Sequence, residues 1–261
     1  MMNDVNAAFY IQNSSFIIQH SNIMRIALIG YGKMGKAIEA IALEQGHTIG
    51  LAIGSGNLAD FTADNLRRCD VAIEFTNPHS AVKNIKQCID AGVPVVCGST
   101  GWLAQWEEVA AYCTQHQGAL LCASNFSTGV NLFFELNRLL AELMAKQPGY
   151  EVSITETHHT HKKDAPSGTA ITLAEQLIAS LGRKKTWVNQ PTDRPDELSI
   201  ISHRIDPAPG THTITYHSAI DDIEITHTAH SRQGFAAGAL QAAVFLQGKQ
   251  GIYSIKDVLG L

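Results

Sequence analysis

A short apolar run at residues 25–29 leads into Gly30-Tyr31-Gly32-Lys33-Met34-Gly35. A helical stretch follows at 36–45, with Ala37, Ile38, Ile41 and Ala42 on one face and Gly46 as its stop. Residues 48–53 then read as a second strand. A G-x-G-x-x-G run placed between strand and helix, inside a βαβ unit, points to dinucleotide binding. The glycines allow a tight turn and close approach of a pyrophosphate, and the helix start offers free N–H groups and a favourable dipole. The alternative for such a run is a glycine-rich structural turn. The expected contacts are Gly30, Tyr31, Gly32, Lys33, Met34 and Gly35. NAD sites usually carry an acid at the end of the second strand for the ribose hydroxyls. Here that region is Ala52-Ile53-Gly54-Ser55-Gly56-Asn57, and the nearest acids, Glu44 and Asp60, are out of place. Losing the carboxylate removes a repulsion against a 2′-phosphate, and Lys33 or Lys36 offers positive charge. No Arg follows the strand, so the expected coenzyme is NADPH or NADH.

The pattern continues. Strands are expected at 69–75, 93–97 and 119–123, and helices at 80–91 and 103–116. Strands alternating with helices through short loops imply a Rossmann-like, doubly wound parallel sheet in an α/β chain. Ligands of such sheets lie beyond the carboxyl ends of the strands. Those ends carry Thr76-Asn77-Pro78, Gly98-Ser99-Thr100 and Ala123-Ser124-Asn125-Phe126, small and polar residues suited to a flat carboxamide ring. Each tripeptide alone also reads as an ordinary loop.

The 261 residues allow one to two domains at about 150 residues each. With 45% hydrophobic and 16% charged residues, the chain has enough apolar material for a packed core and too little charge for disorder. A net charge of -5 argues against a nucleic-acid partner. No apolar run approaches the roughly 18 residues of a membrane helix. The five cysteines form no C-x-x-C pair, so buried free thiols in a reducing cytoplasm are expected. Residues 1–23 contain no Lys or Arg and lack the basic start of a secretory signal. Either Met24 is the biological start or these residues form a loose tail, and no function is assigned to them.

After a helix at 130–144, residues 151–157 alternate apolar and polar, as a half-buried strand does. They lead into His158-His159-Thr160-His161-Lys162-Lys163-Asp164-Ala165-Pro166-Ser167-Gly168-Thr169. Ser167 precedes an apolar helix to about Leu181. It suits a plain N-cap, or else an anion site built with the N–H groups of Gly168 and Thr169. The histidines admit three readings: a solvated loop, a metal pair at His159 and His161, or acid–base and anion chemistry. Lys162 and Lys163 beside a cation, with no accompanying acid cluster, disfavour the metal, and none is expected. Histidine titrates near neutrality and can deliver a proton, and a nearby lysine can hold a carboxylate or serve as a second acid.

Residues 156–170 closely resemble the E-x-H-H-x-x-K-x-D-x-P-S-G-T-A signature of the 4-hydroxy-tetrahydrodipicolinate reductase (dihydrodipicolinate reductase) family. The resemblance extends to Gly30–Gly35, to 98–102, to 123–131 and to Ser231-Arg232-x-x-Phe235-Ala236-x-Gly238-Ala239. It implies NAD(P)H-dependent reduction of a cyclic imine dicarboxylate, with loss of water, in the diaminopimelate route to lysine. His158 would be the proton donor and Lys162 the second acid or charge partner. His159, Ser167, Gly168 and Thr169 would bind the substrate carboxylates. Gly98, Ser99, Thr100, Ala123, Ser124, Asn125 and Phe126 would line the nicotinamide. Asp164 and Pro166 would shape the loop and the helix entry. The departures are the leader, a shorter glycine loop, the absent ribose acid and a compact length, and they bear on coenzyme preference.

Strands are expected at 197–204, 211–219 and 223–230. With 151–157 they make an open four-stranded sheet in an α+β domain for substrate binding and oligomerisation. Its histidines, His203, His212, His217, His227 and His230, are expected to face out of the core. By the resemblance this sheet joins subunits into a homotetramer. An apolar helix at 232–247 returns to the first domain. The expected division is 24–126 with 232–261 for the dinucleotide, and 127–231 for substrate.

Overall fold

The computed structural model describes residues 23–231 and 233–261. The expectation for the leader therefore lies outside the described residues except at Ile23, and Arg232 lies outside them too. The chain begins with β1 (Arg25–Ile29), α1 (Lys33–Glu44), β2 (Thr48–Ile53), the one-turn α2 (Ala63–Leu66), β3 (Val71–Glu74), α3 (Pro78–Asp90), β4 (Val95–Cys97), α4 (Trp106–Gln115) and β5 (Ala119–Cys122). A long helix, α5 (Thr128–Met144), leads to β6 (Glu151–His158), α6 (Gly168–Leu181), β7 (Thr186–Val188), β8 (Glu197–Arg204), β9 (Gly210–His217) and β10 (Asp222–Ala229). The chain closes with α7 (Gln233–Leu246), β11 (Gly251–Tyr253) and α8 (Ile255–Leu259).

The first sheet is parallel throughout, in the order β11-β5-β4-β3-β1-β2. Alternation along β1 sends Ile26 and Leu28 to one face and Ala27 and Ile29 to the other. The first pair packs with Ile38 of α1 and with Ala236, Ala239 and Leu240 of α7. The second pair packs with Ala81 and Ile85 of α3 and Val109 of α4. Both faces are thus covered, which is why these strands read as continuous apolar runs. The returning helix and β11 complete this sheet from the far end of the sequence.

The second sheet is mixed, in the order β10-β9-β6-β8-β7. The four expected strands are present, and the short β7 adds a fifth, parallel to β8. One face buries Val152, Ile154, Leu198, Ile200, Ile214 and Tyr216 against Phe133 and Met144 of α5 and Leu173 and Leu177 of α6. Each such side chain contributes about 1.5–3 kcal/mol on burial. The other face is rich in hydroxyls; Thr213 and Thr226 pair across it at 3.0 Å.

Several details differ from expectation. Helix α1 begins at Lys33 and so takes in the last glycine of the motif. A 3-10 turn, Leu103–Gln105, precedes α4 where one helix is expected. His212 is buried and His227 half-buried, whereas His203, His217 and His230 are exposed as expected. The five cysteines are free thiols, four of them buried. Among the described residues no helix is long and apolar enough to cross a membrane.

Candidate active site

The glycine loop joins β1 to α1. Gly30 holds φ +100°, and a Cβ there would stand 2.1 Å from the Phe75 carbonyl oxygen, so no other residue fits the turn. Gly32 is the N-cap of α1, and a Cβ on it would meet nothing within 4 Å. No side chain caps this helix and no acid sits in its first turn. Among the described residues its leading N–H groups are thus left without a side-chain cap, as a pyrophosphate site requires. Tyr31 donates its hydroxyl proton to Glu39, and Lys36 Nζ stands 5.9 Å from the centre of its ring. After β2, Asn57 ties the turn together. It accepts from the Gly54 N–H at 2.8 Å and donates to the Ala52 carbonyl at 3.0 Å.

The ends of β4 and β5 meet the second domain across a cavity of about 820 Å³, and Thr76, Asn77 and Pro78 after β3 lie outside its lining. Thr100, Ser124 and Asn125 line it from the first domain. His158, His159, His161, Lys162, Ser167, Gly168, Thr169 and His212 line it from the second. Ser99 and Ala123 line an adjoining, more apolar pocket of about 440 Å³ with Trp102 and Trp106, and Thr100 and Ser124 border both. The six glycine-loop residues lie outside the lining of either. Phe126 is buried with its ring 5.7 Å from that of Phe75, and so offers no side-chain surface to a ligand. Gly98 packs its Cα against the same Phe75 ring.

Strand β6 delivers His158, and alternation puts Glu156 on the same buried face. Glu156 is fully buried. Its carboxylate accepts the Ser167 N–H at 3.1 and 3.2 Å and Arg204 Nη2 at 3.0 Å. Its Oε2 lies 3.3 Å from His158 Nδ1, a charge contact too poorly aligned to count as a formed hydrogen bond, and 3.7 Å from His212 Nε2. Burial pushes the Glu156 carboxyl up, but His158, Ser167, Ser202 and Arg204 outweigh it and hold it well below the usual carboxylate range. Burial, and then the charge of His158, lower His212 to about 4. Glu156, His158 and His212 bring ligand-type atoms within 4.8 Å of one another. Arg204 and the Ser167 N–H already engage the carboxylate, and a guanidinium beside the trio opposes a metal cation.

Helix α6 begins here as well. Ser167 caps it by accepting from the Ala170 N–H at 3.2 Å, and its Oγ lies 3.0 Å from His212 Nε2. The Ser167 side chain serves as the N-cap, while Gly168 and Thr169 line the cavity. Lys162 Nζ is held between both oxygens of Asp164, each at 2.8 Å, which keeps the Asp164 carboxyl below its ordinary range. Thr160 donates its N–H and hydroxyl to Asp206, fixing the loop between strand and helix.

Two residues escaped sequence reasoning. His212 shares the buried face of β9 with Ile214 and Tyr216, so its alternation pointed inward. Glu156 stood inside the signature without a role, yet its spacing from Val152 and Ile154 marked it as buried.

A parallel dinucleotide-binding sheet whose strand ends open onto a histidine-lined cleft in a mixed-sheet domain defines a two-domain nicotinamide-dependent oxidoreductase. The family profile described as dihydrodipicolinate reductase, N-terminus, matches residues 24–126, and that described as dihydrodipicolinate reductase, C-terminus, matches 129–259. The chain belongs to the dihydrodipicolinate reductase family. It is 48% identical over 240 residues to the 4-hydroxy-tetrahydrodipicolinate reductase of Christiangramia forsetii, covering 90% of this chain and 98% of that one. It is 37% identical over 231 residues to the enzyme of that name from Neisseria meningitidis serogroup C, covering 85% and 84%. A dipicolinate-bound dihydrodipicolinate reductase from Paenisporosarcina sp. TG-14 shares the fold, with a TM-score of 0.71 at 21% identity over 89% of this chain and 97% of the other. A probable dehydrogenase from Thermotoga maritima is a more distant fold relative, with a TM-score of 0.52 at 11% identity over 90% and 92%.

Proposed function

We propose that this chain reduces 4-hydroxy-tetrahydrodipicolinate to tetrahydrodipicolinate, with loss of the 4-hydroxyl as water, using NADPH or NADH in the diaminopimelate route to lysine. One observation carries the reading. His158, Lys162 and the start of α6 at Gly168 and Thr169 border a single cavity with Thr100, Ser124 and Asn125 from the strand ends of the dinucleotide sheet.

Gly30–Gly35 would hold the coenzyme pyrophosphate, and Thr100, Ser124 and Asn125 would position its nicotinamide, with Gly98, Ser99, Ala123 and the Phe126 backbone behind them. The bound coenzyme supplies a hydride. His158 delivers a proton to the ring carbon beside the reduced one. The N–H groups of Gly168 and Thr169 and the Thr169 hydroxyl take one substrate carboxylate, aided by the helix dipole. Ser167 holds that helix start in place and His159 stands beside it. Lys162, neutralised by Asp164 in the absence of substrate, serves as a charge partner that exchanges one carboxylate for another.

We assign residues 24–126 and 232–261 to coenzyme and 127–231 to substrate and assembly. By the family resemblance, the mixed sheet joins subunits into a homotetramer, and the free thiols fit a reducing cytoplasm.

Titration calorimetry with a planar pyridine dicarboxylate and its monocarboxylate tests the two-anion site. The dicarboxylate should bind more tightly and compete with substrate. Equal binding of the two would contradict this reading and favour another dehydrogenase substrate.

A further inference from the structure

Glu156 is an expensive residue to bury, and the fold spends two donors on it. Arg204 and the Ser167 N–H fix the carboxylate from one side. Arg204 also donates to the Asp164 carbonyl at 2.6 Å, tying the carboxylate to the loop that carries Lys162. Oε2 is left facing two imidazoles whose ring centres are 5.1 Å apart, edge to face.

Distance decides between them. Nε2 of His212, 3.7 Å from Oε2, is beyond hydrogen-bond reach, and the Ser167 hydroxyl 3.0 Å away partners it in either tautomer. Nδ1 of His158 is nearer, at 3.3 Å, and is buried with no formed hydrogen bond among the described residues. Nε2 is left for the cavity that His158 lines.

We propose that Glu156 is a positioning residue that holds His158 with Nδ1–H toward the carboxylate and Nε2 toward the substrate, while its bond to Ser167 fixes the carboxylate-binding helix start relative to that proton donor. The inference rests on the proton-donor role given to His158 above. In the transfer, the His158 Nε2–H bond breaks and a substrate C–H bond forms. The imidazolium becomes a neutral ring with its remaining proton on Nδ1, the tautomer that Glu156 favours. His212 completes the arrangement by occupying Ser167 without competing for the carboxylate.

The test joins a spectroscopic signature to a mutant cycle. Nitrogen NMR of histidine-labelled wild-type protein should show neutral His158 as the Nδ1–H tautomer; an Nε2–H tautomer overturns the proposal whether or not the enzyme turns over the assigned substrate. For Glu156→Gln, kcat should fall by roughly tenfold or more, bounded by the loss of about 10²–10⁴-fold for His158→Gln. Coenzyme dissociation constants should not move. In the His158→Gln background, Glu156→Gln should cost no further kcat, because its effect passes through the missing ring. Losses that multiply, or an unchanged kcat in the single variant, would overturn it. If neither wild type nor variants oxidise coenzyme with this substrate, the functional reading fails, and the tautomer still decides the positioning role.

Discussion

Protonating His212 should loosen the second domain. Its imidazole is 5% exposed and neutral at pH 7, lowered to about 4 by burial and by the charges of His158, His227 and Lys162, with Glu156 opposing. An unfolded histidine titrates near 6.5. The folded value is the lower one, so the unfolded chain binds more protons between these limits. Stability is then fully present above about pH 6.5 and is lost as pH falls toward about 4. At about 1.36 kcal/mol per unit, the whole window is worth about 3 kcal/mol, of which about 2 kcal/mol is lost by pH 5. The depressed Glu156 carboxyl acts in the same direction but at lower pH, below the ordinary carboxylate range near 4.3, so stopping at pH 5 excludes it, and His47 and His227, also lowered by burial, are present in both proteins and cancel on comparison with a variant. The perturbation is His212→Gln, whose amide can still meet Ser167 Oγ. Urea unfolding at pH 7.5 and pH 5 should show wild type losing about 2 kcal/mol more than the variant between the two. Parallel losses would refute the argument that a buried, neutral His212 underlies the acid sensitivity.

Two further substitutions probe the ligand sites. Gly54→Asp has room, since a Cβ there stands 3.8 Å from Tyr31 Cβ and 4.0 Å from Asn57 Oδ1. It should lower kcat/KM with NADPH relative to NADH by repelling a 2′-phosphate, and an unmoved ratio would place the ribose elsewhere. Thr169→Val should weaken pyridine dicarboxylate roughly tenfold to a hundredfold, the equivalent of about 1.5–3 kcal/mol for a hydrogen bond to a charged group, without changing the calorimetric constant for coenzyme.

The first domain was legible because each link in it is local. Apolar runs of strand length, glycine at the turns and helices of ordinary length all sit within a few tens of residues. Strand β11 is different: three residues, Gly-Ile-Tyr, carry no period, and pairing with β5 at Ala119 makes them a strand. The same holds for β7, which pairs with β8. In the site, the motif marked His158, Ser167 and Thr169, but the polar partner of the inward-facing His212 is Ser167, 45 residues away in sequence. A buried Glu156 likewise needs Arg204, 48 residues on, to offset its desolvation. Lys162 read as a second acid or charge partner for substrate, and the fold turns it onto Asp164 two residues later. Tertiary partners of this kind have no local signature.

The central claim is that His158 delivers the proton that completes hydride reduction of a cyclic imine dicarboxylate. The direct measurement supplies 4-hydroxy-tetrahydrodipicolinate, freshly generated by the preceding synthase, and follows the loss of reduced nicotinamide absorbance with wild type and His158→Gln. Wild type should oxidise NADPH, NADH or both, and the variant should turn over about 10²–10⁴-fold more slowly with little change in coenzyme affinity. No oxidation by wild type with either coenzyme, or turnover by the variant close to that of wild type, would contradict the account.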